Sequence, residues 1–240
     1  MEPRLTIIAH RGASKEAPEN TLPAVRRAVK MGVDAIEVDV RLTLDGQPIL
    51  LHDETLDRTT NSAGSVAATP ARKFQNVDAG SWFHPQFAHE RVPLLSEFLA
   101  AVPASIWINL HVKPDARFAE PSESLMTVLN AHAHPEQLLI STDETYALQA
   151  PQFASFQRAL ITDDPRFVPE TVAEIGCKAW HPDHKFLTPK LVARAVGLGL
   201  QVNTWTVDDP KRAQELMAWG VDGIFTNDIA AMLTMRSVTP

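Results

Sequence analysis

Cysteine is almost missing from this 240-residue chain: Cys177 stands alone, which excludes a disulfide framework and a thiolate metal cluster. No run of about 18 apolar residues occurs, so the sequence carries no signal for a membrane-spanning helix. A basic-then-apolar leader is absent too. Met1-Glu2-Pro3-Arg4 runs straight into Leu5-Thr6-Ile7-Ile8, and the expected location is the cytoplasm. Positive charge is in short supply, with 22 basic residues against 29 acidic ones and a net charge of −7. That balance argues against nucleic acid as a partner and against stable membrane association, both of which need a basic surface. An anionic substrate would have to be attracted by a local site. Apolar residues are plentiful at 45%, enough for a sizeable core, and 1–240 reads as a single domain.

Short apolar runs alternate with helical patterns along the chain. Strands are expected at Leu5–Ala9, Ala35–Val40, Gln47–His52, Ile106–Val112, Gln137–Ser141, Arg158–Ile161, Ala179-Trp180, Leu200–Thr204 and Gly223–Thr226. From Thr21 to Met31 the apolar residues Leu22, Val25, Ala28 and Val29 share one helical face, with Thr21 as N-cap and Gly32 as the stop. Further helices are expected at Thr188–Gly197 and Pro210–Trp219. About eight strand–helix units predict an α/β fold of the closed (β/α)8, or TIM-barrel, type. An open doubly wound sheet is the alternative, but no Gly-rich dinucleotide fingerprint supports it. Residues at about 53–95 break the rhythm as a small polar insertion after the second strand, and long excursions of that kind are often functional.

Two strands have faces that a structural role explains poorly. In a strand successive side chains point opposite ways, so Ile36, Val38 and Val40 share one face while Glu37 and Asp39 share the other. Buried, unpaired carboxylates cost several kcal/mol or neutralise, and a divalent cation is the usual remedy. Ile108, Leu110 and Val112 likewise alternate with Asn109, His111 and Lys113. His10 and Arg11 end the first strand and His52 ends the extra one, which is where a parallel barrel keeps its catalytic groups. Each of these residues has an ordinary explanation alone: a hydrogen-bonded strand-end histidine, or Glu37 and Asp39 paired with Arg11 and Lys113. Their coincidence at strand ends favours a site. His132 and His134 read as surface, His84 and His89 lie within the insertion, and His181 and His184 are expected at the rim.

The motifs His-Arg-Gly (10–12), Pro-Glu-Asn-Thr (18–21), Glu-Val-Asp-Val (37–40), Thr-Leu-Asp-Gly (43–46) and His-Asp (52–53) form a specific series. Leu-Asp-Arg-Thr (56–59), Val-Asp-Ala-Gly-Ser-Trp (77–82), Trp-Thr-Val (205–207) and Gly-Val-Asp-Gly-Ile (220–224) follow. With them the chain resembles the glycerophosphodiester phosphodiesterase family of (β/α)8 barrels, nearly end to end. The resemblance implies hydrolysis of a small-molecule glycerophosphodiester, such as glycerophosphocholine or glycerophosphoethanolamine, to sn-glycerol 3-phosphate and an alcohol. It implies His10 and His52 as the general acid–base pair and Glu37 and Asp39 as ligands of one divalent cation. Arg11 and Lys113 would hold the phosphate, and Trp205 would line the pocket. In this family the attacking group is thought to be the substrate's own hydroxyl, giving a cyclic phosphate that water opens.

One departure matters. The family usually shows Asn-Ile-Glu-x-Lys on the third barrel strand, with that glutamate as the third metal ligand, whereas this chain has Asn109-Leu110-His111-Val112-Lys113. Histidine remains a competent ligand but replaces an anionic oxygen with a neutral nitrogen. With His111 in the shell, Mg2+ is the expected ion, Mn2+ or another transition ion is acceptable, and Ca2+ is disfavoured because it prefers all-oxygen shells. Metal affinity should weaken as His111 protonates below about pH 6.5. The Thr226-Asn227-Asp228-Ile229 segment lacks a proline the family often has there, to which no functional meaning attaches. Two rivals remain: a lysophospholipase D-like or sphingomyelinase D-like lipid phosphodiesterase, with Trp82, Phe83 and Phe87 as its only apolar cluster, and a non-catalytic phosphodiester-binding barrel.

Overall fold

The computed structural model describes residues 4–113, 115, 117, 121–164, 166 and 168–238. Nine strands occur among them: β1 Thr6–His10, β2 Ala35–Leu42, β3 Pro48–Leu50, β4 Trp107–Val112, β5 Leu138–Thr142, β6 Gln157–Thr162, β7 Ala179–Pro182, β8 Gln201–Thr204 and β9 Gly223–Thr226. The helices are α1 Leu22–Met31, α2 Leu95–Ala101, α3 Glu123–Asn130, α4 Thr145–Leu148, α5 Pro169–Glu174, α6 Pro189–Gly197, α7 Pro210–Ala218 and α8 Ile229–Val238.

The sheet order is β1-β9-β8-β7-β6-β5-β4-β2-β3, and β1 also pairs with β2, so eight parallel strands close into a barrel. β3 stands outside the ring as a hairpin partner of β2, with Val40 opposite Leu50 and Leu42 opposite Pro48. Its turn runs through Asp45 and Gly46, and Gly46 takes a φ of 76° that favours glycine. The strand is shorter than the Gln47–His52 expectation, yet the Leu51 amide still donates to Asp39 O at 3.1 Å. His52 is thereby carried to the rim beside β2.

The core lies between the barrel and its helices. Ile36, Val38, Val40, Ile108, Leu110 and Ile140, on the outer faces of β2, β4 and β5, pack with Val25, Ala28, Phe98, Leu99, Leu125 and Leu129 from α1–α3. Each such buried Leu, Ile or Val contributes about 1.5–3 kcal/mol. Ile7, Leu160, Trp180, Val202 and Ile224 do the same on the other half against Val172, Val192, Ala195, Ala213 and Leu216. The alternation that puts these residues outward turns Glu37, Asp39, Asn109 and His111 inward.

Two positions fix the first loop. Gly12 has a φ of +78°, and a Cβ there would lie 2.8 Å from the Ala24 carbonyl carbon, so the loop presses directly on α1. Helix α1 begins after Thr21 as expected and ends on Gly32 in the left-handed conformation, although the Thr21 side chain makes no cap. Its hydroxyl donates instead to Pro18 O at 2.6 Å, which closes the Pro18–Thr21 turn over the strand ends. The insertion contains short 3-10 turns at Val66–Ala68, Ala71–Asn76 and Pro85–Phe87. It has an apolar cluster of its own, in which Leu56, Val66, Phe74, Val77, Ala79 and Val92 pack on Ile49 and Leu51.

Candidate active site

All eight residues expected at the site line one cavity of about 230 Å³: His10, Arg11, Glu37, Asp39, His52, His111, Lys113 and Trp205. It opens at the C-terminal ends of the barrel strands. Register explains the convergence, because His10 lies opposite Glu37 on β1 and β2, while Glu37 faces Asn109 and Asp39 faces His111 across β2 and β4.

Asp39 is the hub. Its Oδ1 lies 3.3 Å from His111 Nδ1 and 3.2 Å from Lys113 Nζ, and its Oδ2 lies 3.2 Å from Arg11 Nε. Asn20, a left-handed residue with a φ of 56°, grips it twice. Asn20 Nδ2 donates to Asp39 Oδ2 at 2.9 Å, and the Asp39 amide donates to Asn20 Oδ1 at 3.1 Å. Glu37 accepts from the Arg11 amide at 2.9 Å. Burial would raise the pKa of both carboxyls, and the outcomes diverge. Burial and the neighbouring Asp39 charge push Glu37 up, whereas the His111 hydrogen bond and the Lys113 and Arg11 charges override burial and hold Asp39 well below the usual range. One member of the pair is thus short of positive charge.

The donor set answers that shortage. Glu37, Asp39 and His111 each offer one ligand atom, all within 4.8 Å of one another. Two oxygens and an imidazole suit Mg2+, Mn2+ or a later transition ion. Burial lowers the His111 pKa against the pull of Asp39, which moves proton competition for this nitrogen below the pH 6.5 expected from the free side chain.

His10 and His52, the two histidines expected to move protons, are held by different partners. His52 Nδ1 lies 2.6 Å from Asp53 Oδ1. Asp53 is gripped by Arg58, whose Nε donates to its Oδ2 at 2.6 Å, and Arg58 also reaches Glu19, which in turn accepts from Arg11 at 2.8 Å. The insertion therefore reaches the site through Arg58. His10 Nδ1 lies 2.8 Å from Asn227 Oδ1. Burial first, and then the Arg11 charge, lower the His10 pKa to about 4, so the ring is neutral at pH 7.

Other expectations are relocated. His181 is not at the rim: it is 1% exposed and lines the floor of the same cavity. There its Nε2 accepts from Asn203 Nδ2 at 3.2 Å, and burial brings its pKa down to about 3. Gly223 makes that pair possible, since a Cβ would lie 2.6 Å from Asn203 Oδ1. His184 sits under Arg212, while His84, His89, His132 and His134 lie away from the cavity. Trp82, Phe83 and Phe87 stack edge to face within the insertion and do not line the cavity. Trp205 packs on Ile8, Ala35 and Phe225 and donates from Nε1 to His181 O at 2.7 Å. Asn227, Asp208 and Arg58 carry site contacts to which the sequence reading gave no role. For Asn227 and Asp208 the available signal was their place in the loops after barrel strands.

Residues 10–231 match the glycerophosphoryl diester phosphodiesterase family. The chain belongs to that family. A glycerophosphodiester phosphodiesterase of Caldanaerobacter subterraneus subsp. tengcongensis is 32% identical over 95% of this chain and 96% of its own length. One from Bacillus subtilis is 30% identical over 93% of this chain and 84% of its own. Among solved structures, an Oleispira antarctica phosphodiesterase in complex with the product sn-glycerol-3-phosphate superposes with a TM-score of 0.91 at 28% identity, covering 98% of this chain and 97% of the other. The family places the protein among the phosphoric diester hydrolases, and its (β/α)8 barrel is the closed eight-stranded ring described above.

Proposed function

We propose that this glycerophosphodiester phosphodiesterase family member releases sn-glycerol 3-phosphate and an alcohol from small soluble diesters, with His10 and His52 moving the protons. The convergence of two histidines, two buried carboxylates and two cations on one cavity carries this reading. Cleavage of a phosphodiester requires a proton taken from the attacking oxygen and one given to the departing oxygen. Histidine serves either role near neutral pH, and both rings here have Nδ1 held by a protein oxygen. Arg11 and Lys113, 17% and 11% exposed, bring positive charge to the phosphoryl oxygens from largely buried positions, where such charge acts more strongly than in open water. Glu37, Asp39 and His111 are the residues that would hold a divalent cation. Such an ion supplies Lewis-acid stabilisation of the phosphoryl group. Trp205 offers a flat apolar wall to the bound substrate. No helix among the described residues is long and apolar enough to cross a membrane. The cavity walls carry none of the insertion's aromatic residues, which favours a small diester over aggregated lipid as the substrate.

The test is release of glycerol 3-phosphate from glycerophosphocholine by chelator-stripped protein refilled in turn with Mg2+, Mn2+, Ca2+ and Zn2+. Metal-restored turnover is expected, with His10→Ala and His52→Ala each reducing kcat on the order of 10²–10⁴-fold. Turnover that survives both substitutions would overturn the two-histidine reading. In the same assay His111→Glu is expected to move the ion ranking toward Ca2+, because it restores an oxygen donor. An unchanged ranking would remove His111 from the metal shell.

A further inference from the structure

His10 owes its orientation to a side-chain chain that begins outside the cavity. Asp208, in the loop after β8, accepts four hydrogen bonds from the last residue of β9 and the two that follow it. Its Oδ1 takes the Asn227 amide at 2.7 Å, the Thr226 hydroxyl at 2.9 Å and the Asp228 amide at 3.3 Å, and its Oδ2 takes Asn227 Nδ2 at 2.9 Å. Burial works against the charge of Asp208, but these bonds, led by those from Asn227, lower its pKa, so the side chain is an ionised carboxylate that can only accept. That settles the Asn227 amide: Nδ2 must face Asp208, and Oδ1 must face the other way. Asn227 Oδ1 then meets His10 Nδ1 at 2.8 Å and the Ser14 hydroxyl at 2.9 Å. Ser14 could rotate to accept from a reversed amide, so it does not choose the orientation. Asp208 does.

An acceptor opposite Nδ1 requires that Nδ1 carry the proton. His10 Nε2, which has no hydrogen-bond partner among the described residues, is then the bare nitrogen of a ring lining the cavity. We propose that Asp208, acting through Asn227, is a positioning residue that locks His10 in the Nδ1–H tautomer and so makes its Nε2 the proton acceptor of the site. This rests on the assignment of His10 as one of the two proton-moving histidines. It also separates the two rings: His52 takes its orientation directly from a carboxylate, Asp53, whereas His10 takes it from a neutral amide that a distant carboxylate has aimed.

The chain makes a sharp prediction because Asp208→Asn reverses it. An asparagine at 208 must keep its Oδ1 toward the backbone amides and the Thr226 hydroxyl, which leaves its NH2 facing Asn227. Asn227 then turns its own oxygen toward residue 208 and its NH2 toward His10, and His10 Nδ1 has to accept. The proton moves to Nε2 and the base is lost. Adding Asn227→Asp to that variant restores an obligate acceptor opposite His10 while keeping a donor at residue 208 and the same total charge.

The experiment is nitrogen NMR of the full-length protein carrying 15N-histidine, at neutral pH, with the His10 signals among the nine histidines identified from their disappearance in His10→Gln. Protonated and bare imidazole nitrogens resonate far apart, so the tautomer is read directly. Wild type should show Nδ1–H and bare Nε2, Asp208→Asn the reverse, and Asp208→Asn/Asn227→Asp the wild-type pattern, with His52 unchanged throughout. Steady-state kinetics on glycerophosphocholine should show kcat falling on the order of 10²-fold or more in Asp208→Asn, KM little changed, and most of kcat regained in the double variant. A His10 that carries its proton on Nε2 in wild type, or an Asp208→Asn protein whose tautomer and kcat are unaltered, would overturn the proposal. If Asp208→Asn fails to fold, the wild-type tautomer and the rescued double variant decide it alone. The tautomer measurement needs no substrate, so a wild type without turnover would count against the phosphodiesterase reading and leave the nitrogen shifts to judge the relay.

Discussion

Among single residues, the barrel-floor histidine gives the cleanest link between burial and solution behaviour. His181 is 1% exposed, and burial, assisted by the charge of His111, lowers its pKa to about 3 from 6.5. Between those values the unfolded chain holds a proton on this ring that the native state does not. Stability due to His181 is therefore complete above pH 6.5 and is lost as pH falls toward 3. The slope for one such group is about 1.4 kcal/mol per pH unit. His10 and His111 are shifted in the same direction and add to it, while Glu37, pushed up to about 8, opposes the three histidines by a single proton over the same range. Wild type should lose urea resistance steadily from pH 6.5 to 5, a window above the titration of the depressed carboxylates Glu19, Asp39 and Asp53. His181→Gln should show a visibly flatter profile over that window, whatever its absolute stability. Parallel profiles for the two proteins would mean that His181 is not held neutral by burial.

At the scale of elements, what could be read beforehand and what could not divide along a physical line. Period-two alternation is local, so β2 and β4 announced both their outward Ile36, Val38, Val40, Ile108 and Leu110 and their inward Glu37, Asp39 and His111. Strand positions followed from apolar runs, and Gly223–Thr226 matched to the residue. β3 falls short because it is an edge strand: its ladder with β2 ends at Leu50, and on its other side it meets only the Pro93-Leu94 stretch, through one bridge at Ile49 and the Leu50 amide to Pro93 O at 2.9 Å. Contacts between loops that are far apart in the chain were not legible. His10 meets Asn227 across 217 positions, and no spacing rule connects them. Arg58 reaches Glu19 across 39. His181 was misplaced because a strand end gave no sign of whether its ring faced the mouth or the floor. The deciding fact was the missing Cβ of Gly223, which leaves room for Asn203.

For the whole molecule, the barrel and the insertion have separate apolar clusters joined at one functional seam. Barrel residues pack against the helices, whereas Phe74, 2% exposed, sits with Leu56, Val66, Val77 and Val92 in the insertion's own cluster. The hydrogen bonds within the insertion, such as the Leu56 amide to Gly64 O at 3.0 Å and the Ala79 amide to Glu90 O at 2.7 Å, depend on that cluster. Phe74→Ala removes about 3–5 kcal/mol of packing. Where a region has its own small core, such a loss lowers the free energy of local opening before it reaches the global transition. Hydrogen exchange on Phe74→Ala should therefore quicken at the Leu56 and Ala79 amides while the β1, β2 and β9 amides keep their protection. Turnover should fall as well, because Arg58 holds Asp53 and Glu19 from the insertion side and Asp53 holds His52. A loosened insertion leaves His10 in place and misdirects its partner. Exchange that quickens equally in the barrel strands would instead mean that insertion and barrel open as one cooperative unit, and that His52 is steadied by the ring itself through the contact of Arg41 Nε with His52 O at 2.8 Å.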